Sequence, residues 1–386
     1  MKSPVFKDLN LQMIFIVTLF AVMGVASIAP AFPQIIRHFN ISEREVGWLI
    51  APFTLPGVFL TPITGVLADR LGRKNILIPS LVLFGIAGCC CIFAGTFHVL
   101  LGLRFLQGIG AASLGSMNVT LIGDLYSGQR RIEAMGYNAS VLSLGTASYP
   151  ALGGALALLG WQYPFILPVL AVPFGTVIAY KLKTHDPESN QKLGIYLRHT
   201  WKNINQRSVW GLFVLNILVF FLIYGAYLTY LPILMETRLN STSFAIGLIM
   251  SLASVTMAIV SASIGKISNL LNSQMIIIIG IGFYLGSMTL FAFSSSYWFI
   301  VLPALLYGFA QGMVLPTIQT LLVGLAPIQQ RAAFMSLNSM VLRIGQTAGP
   351  VVIGFAYALG GIQYAFWGGS VVALIMLGVV VGTVRK

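Results

Sequence analysis

The residues whose types and spacing can do chemistry are few in this 386-residue chain, and most of them are cations. The stretch Gly65-Val66-Leu67-Ala68-Asp69-Arg70-Leu71-Gly72-Arg73-Lys74 gathers one carboxylate and three cations around two glycines. Such a knot crosses lipid poorly but turns a chain well at a membrane surface. Its acid can pair with a nearby cation, and its glycines let two helix ends approach closely. Asp124, followed by Arg130, Arg131 and Glu133, can join Arg70 or Arg73 in one ion-pair network; the alternative is an ordinary solvated charge cluster. Arg104 and Arg343 stand inside long apolar runs, where a charge is expensive and usually faces a cavity or a partner.

What is missing narrows the chemistry further. All nine carboxylates (Asp8, Glu43, Glu45, Asp69, Asp124, Glu133, Asp186, Glu188 and Glu236) fall in loops or at the ends of apolar runs. No buried acid therefore offers a proton site with a raised pKa in a span core. His38 and His98, which can titrate near neutrality, lie near run ends, where interfacial packing also accounts for them. Cys89, Cys90 and Cys91 are consecutive, so they suit neither long-range disulfides nor a metal site. No Gly-x4-Gly-Lys-Ser/Thr loop exists, so nothing resembles an ATP motor. Neither a metal nor a cofactor is expected, and no enzymatic activity.

The elements that must position these residues are membrane helices. The chain is 57% hydrophobic and 8% charged, against about 25% charged in soluble domains. Lipid must therefore be the solvent for most of its surface. Apolar runs near the length that crosses a bilayer lie at roughly 11–36, 46–68, 75–95, 98–122, 135–159, 162–181, 209–235, 244–266, 274–293, 298–323, 332–358 and 363–384. The first is too long for a signal-peptide core and reads as a retained span. The 40 glycines and 17 prolines, many of them inside runs, suit membrane helices that pack closely and bend.

Charge sets the orientation. With the N-terminus inside, Arg37, Arg44 and Arg238 are the only cations in outer loops, and nearly all the rest of the 22 fall on the inner side. Both termini are then cytoplasmic, and the net charge of +13 is a topology signal with no nucleic-acid partner behind it. The one sizeable loop, 182–208, divides an N-terminal half (1–181) from a C-terminal half (209–386). Its segment 195–202 reads either as a helix on the inner leaflet or as a solvated linker. The halves repeat each other. Gln129, Arg131, Met135, Asn138, Gly145, Pro150 and Gly154 recur at one constant offset as Gln329, Arg331, Met335, Asn338, Gly345, Pro350 and Gly354. Two parallel six-helix halves are an architecture of secondary transporters.

In that setting, between the second and third spans, the Gly65–Lys74 loop resembles the signature loop of the major facilitator superfamily, and the resemblance extends over essentially the whole chain. It implies an all-α polytopic fold of twelve transmembrane helices in two six-helix pseudo-repeats, most like the drug/proton antiporter branch. In family members an acid at the place of Asp124 bridges to the signature loop. Gly65, Asp69, Arg70, Gly72, Arg73, Asp124 and Arg131 are accordingly expected to form a cytoplasmic latch that holds in the outward-open state and parts on opening inward. Arg104-x2-Gln107-Gly108 resembles the fourth-span motif associated with proton transfer or coupling; a snorkelling arginine is the alternative. The Gly145-x4-Pro150-x2-Gly153-Gly154 stretch resembles the mark of exporters running as antiporters, with Tyr149 where a glycine belongs. Gly345, Gly349 and Pro350 are its counterparts in the eleventh span, and these glycines and prolines read as helix-packing and helix-bending positions.

By analogy with the family, the first, fourth, seventh and tenth spans line the cavity. Tyr224, Tyr227 and Tyr230 at i, i+3, i+6 form either an aromatic binding stripe or helix packing, and Gln107, Gln311, Gln319 and Asn338 are further polar candidates. Arg343, roughly 16 Å from the inner end at about 1.5 Å per residue, can meet an anionic substrate group or cap helix carbonyls. The resemblance implies proton-driven export of small amphipathic organic compounds across the plasma membrane by alternating access, by a monomer whose other partners are membrane lipids. The rivals are transport of an anionic metabolite or lipid-like molecule, not necessarily with protons, and a non-transporting receptor or assembly factor.

Overall fold

The computed structural model describes residues 5–182, 184, 207–325 and 331–383; the side chains of Val66, Asp69, Ser336 and residues 331–333 lie outside that description. So does the expected surface helix at 195–202. Twelve long helical stretches run through the molecule and no strand occurs among the described residues. In chain order they are α1 (Leu9–Phe39), α2 (Ala51–Leu71, entered by a 3-10 turn at Glu45–Leu49), α3 (Arg73–Cys90), α4 (Phe97–Leu125), α5 (Gly128–Ala157) and α6 (Tyr163–Lys181). The second series is α7 (Arg207–Leu239), α8 (Ser243–Ile267), α9 (Ser273–Phe293), α10 (Tyr297–Leu325), α11 (Arg331–Gly360) and α12 (Ile362–Thr383).

Ten of these are long and apolar enough to cross a membrane. The other two are α5 and α11, continuous α-helices of 30 residues each. The first of them begins before the apolar run that starts near 135, and it carries Gln129, Arg130, Arg131 and Glu133 in its first turns. A helix satisfies its own backbone whether lipid or water surrounds it, so it need not stop where apolarity does.

Local chemistry explains the ends. Thr96, Thr242 and Asn272 cap α4, α8 and α9 by accepting from the backbone N–H three residues on. Asn40 and Asn240, at equivalent places in the two series, both close their helices in the left-handed conformation, at φ 49°. Gly72, at φ 96°, joins α2 directly to α3, a conformation that other residue types resist. Proline breaks α1: Pro30 lies within a 3-10 turn at Ala29–Ala31, and Pro33 opens the helical turn that follows. α7 widens into a π-helix over Phe221–Tyr230.

The two series meet along α5 with α8 and α2 with α11. Near the ends remote from the Gly65–Lys74 loop these pairs are in backbone contact. Gly154 lies against the Ser243 carbonyl, Gly247 against the Pro150 carbonyl, and Gly47 against Pro350. Any side chain at Gly154 or Gly247 would collide with backbone, so small residues make these crossings possible. Toward the loop end such contacts are absent at three glycines, among the described residues. Gly65 on α2, Gly136 on α5 and Gly265 on α8 have nothing within 4 Å of where a β-carbon would sit. Among the described residues, the two series are thus in backbone contact at the far end and make no such contact at these three basic-end glycines.

Candidate translocation site

Five polar links described at the far end each join a residue of the first series to one of the second; in one, the Ala151 N–H on α5 donates to Ser251 Oγ on α8 at 3.1 Å. Arg37 on α1 is ion-paired with Glu236 on α7. Gln34 donates to Ser243 Oγ on α8 at 2.9 Å, and to the Ala157 carbonyl at 2.7 Å. Tyr357 on α11 donates to Glu43. Thr54 on α2 and Thr347 on α11 share a hydrogen bond of 2.8 Å. The Arg44 guanidinium adds a cation–π contact 4.9 Å from the centre of the Phe355 ring. Sequence reasoning missed this set, although Glu43 and Glu236 were visible as outer-end acids. Their partners come from helices distant in sequence.

One turn below the Thr54–Thr347 bond lies Arg343. Its side chain leaves α11 and passes over Gly57 on α2, whose absent β-carbon would sit 2.9 Å from the Arg343 Cδ and Nε. The tip reaches toward Gly115 on α4, 3.8 Å from the equivalent point there. Arg343 donates to Gln346 Oε1 at 3.2 Å, and no carboxylate pairs with it among the described residues. Tyr224, half-buried, is stacked on Phe220 with centroids 5.9 Å apart, and Phe220 packs against Gly345, two residues along α11 from Arg343.

The other candidates divide differently. Arg104 is 1% exposed and held within the first series. It donates to the Leu49 carbonyl at 3.2 Å and to Gln107 Oε1 at 2.5 Å, with its guanidinium 4.1 Å from the centre of the Phe53 ring. The pair ties α4 to the start of α2, and does not snorkel to a surface. Tyr227 and Tyr230 are buried in helix packing: Tyr227 stacks on Tyr307 at 3.9 Å, and Tyr230 on Tyr357 at 5.1 Å. The π-helix is the reason, because a period other than 3.6 takes i, i+3, i+6 off one face and leaves only Tyr224 toward the space. Asn338 is buried, accepting from Asn216 at 2.8 Å and donating to Gln319 at 3.1 Å. Gln311 on α10 is half-buried.

Among the helix-packing positions, Gly145 rests on Val22 and Leu19 of α1, Gly345 on Ile217 of α7, and Gly349 on Phe221 of the π-helix. Pro150 and Pro350 lie inside continuous helices, at the crossings onto α8 and the α2 entry.

At the basic end, Arg73 Nε donates to Asp124 Oδ2 at 2.9 Å, and the Arg131 guanidinium lies against Gly123. Lys74 Nζ donates to the Ala179 carbonyl at 3.1 Å. Arg70 is exposed. The Arg73–Asp124 pair joins α3 to α4 within one series. The expected latch residues Arg73 and Asp124 are thus brought together. Asp69, the remaining acid of that latch, has its side chain outside the described residues.

Known proteins agree with this architecture. The family model described as Major Facilitator Superfamily matches residues 14–288 and 235–385. The chain is 25% identical over 349 residues to the bacillibactin exporter of Bacillus subtilis, covering 87% of each. It is 24% identical over 394 residues to multidrug resistance protein 2 of the same organism, covering 98% of this chain and 96% of that one. Among solved structures it resembles a bacterial homolog to the human lysosomal transporter Spinster, in its inward-facing and occupied conformation, with a TM-score of 0.79 at 16% identity over 99% of this chain and 98% of that one. With twelve helices in two repeats and a family match along nearly its whole length, the chain belongs to the major facilitator superfamily, a family of membrane transporters and not of enzymes.

Proposed function

We propose that this protein exports small amphipathic organic compounds across the plasma membrane by alternating access, driven by proton influx. The observation that carries the reading is the space between the two series. It is closed at the far end by bonds that all cross between them, open at the basic end, and provided at its closed end with a half-buried aromatic and a cation. The positive-inside bias makes the basic end cytoplasmic, so the open space faces the side from which an exporter loads. Residues 1–181 and 209–386 rock as two halves about the 182–208 connection, in a monomer with both termini inside. Relatives named as an exporter and as a multidrug resistance protein support the export direction. Proton coupling is supported by the likeness of Arg104 and Gln107 to the family's fourth-span motif.

The test uses the purified protein in sealed liposomes with an internal pH dye and a panel of cationic, neutral and anionic amphiphiles. Substrate-linked proton movement is the expected result. Substrate movement without proton movement would overturn the coupling, and no movement of any compound would overturn transport.

A further inference from the structure

Arg343 is a charge in need of a partner. A guanidinium at mid-span costs several kcal/mol unless it is paired or solvated. Every described carboxylate sits at a helix end or in a connection, so the protein offers this one no acid. One side-chain hydrogen bond, to Gln346, engages one of its five N–H donors. The side chain nevertheless crosses from one series to the other, into room left by Gly57, and ends where Gly115 is exposed. On the neighbouring stretch of α7, Phe220, packed against Gly345 of α11, stacks with Tyr224 in an aromatic face.

Resting on the transporter reading, we propose that the substrate is an amphipathic organic acid, its carboxylate paired with the Arg343 guanidinium and its apolar body against Tyr224 and Phe220. A carboxylate takes two parallel N–H bonds from a guanidinium, a geometry that an ammonium group does not offer. A lipophilic cation meets like charge at the same place and has no acid to offset it. Arg104 cannot take this role, because Gln107, Leu49 and Phe53 already enclose it. Binding also neutralises the only described cation that bridges the two series in the span core, which favours their closing around the ligand.

The experiment measures binding of three fluorescent probes to the full-length protein in nanodiscs: dansyl-glycine, its methyl ester, and a dansyl amine of matched size. The acid is expected to bind about tenfold or more tightly than the ester, the size of one charge-assisted contact. In Arg343→Gln that ratio falls to about one, and Arg343→Lys, which keeps the charge but loses the fork, lies between. Gly57→Val, which crowds the arginine without removing it, also lowers the ratio. Equal acid and ester binding in the wild type, or a ratio unchanged in Arg343→Gln, would overturn the proposal. Binding of the amine alone would overturn it and leave the exporter reading standing; binding of no probe would overturn both.

Discussion

Two buried asparagines show how the repeat works at the scale of single residues. Asn138 accepts from Thr18 at 2.6 Å, and Thr18 accepts from Asn118 at 2.9 Å, which joins α5, α1 and α4. Asn338, Asn216 and Gln319 join α11, α7 and α10 in the same order. Amides in lipid need partners, and these bonds fix which helices lie side by side. Asn338→Ala leaves the Asn216 and Gln319 side chains short of a partner at a cost of about 1–2 kcal/mol. The midpoint of thermal unfolding in detergent is expected to drop, and an unchanged midpoint would show the knot to be idle. The repeated asparagines were legible as sequence positions. Their bonds were not, because a partner on another helix depends on azimuth and depth, which apolar runs do not encode.

At the scale of elements, the proposed cycle assigns closure of the far end to the zipped crossings. Gly154 and Gly247 let α5 and α8 touch backbone to backbone at the far end, and Gly47 does the same for the α2 entry beneath Pro350. Gly247→Leu pushes the two helices apart there, so thiol labelling of a cysteine placed at Ser243, which Gln34 covers in the closed arrangement, is expected to rise severalfold, while transport falls. Unchanged labelling would mean that the crossing tolerates the side chain and does not govern closure. Span positions were legible because apolarity and length suffice for them. The early start of α5 was not, since helix and membrane boundaries need not coincide. Which tyrosines of α7 pack between helices was hidden for a related reason: the sequence does not announce that Phe221–Tyr230 winds as a π-helix.

For the molecule as a whole, the two series were visible in the repeat and in the signature loop, but the arrangement of one against the other was not. The repeat carries the same residues whichever end is closed, so no pattern within one half distinguishes the states. That choice lies in contacts between halves, such as Arg37 with Glu236 and Tyr357 with Glu43. In the proposed cycle, rocking about Arg343 breaks these bonds and brings Gly65, Gly136 and Gly265 toward the opposing half.

The most direct test places pairs of spin labels on a cysteine-free background: Leu71 with Leu270 at the basic end, and Leu159 with Trp298 at the far end, all exposed. Distances are measured by pulsed electron resonance in nanodiscs at two pH values, with and without a transported compound. The account predicts opposed changes, in which conditions that shorten the basic-end distance lengthen the far-end one. Two distances that stay fixed, or that rise and fall together, would contradict alternating access by this protein.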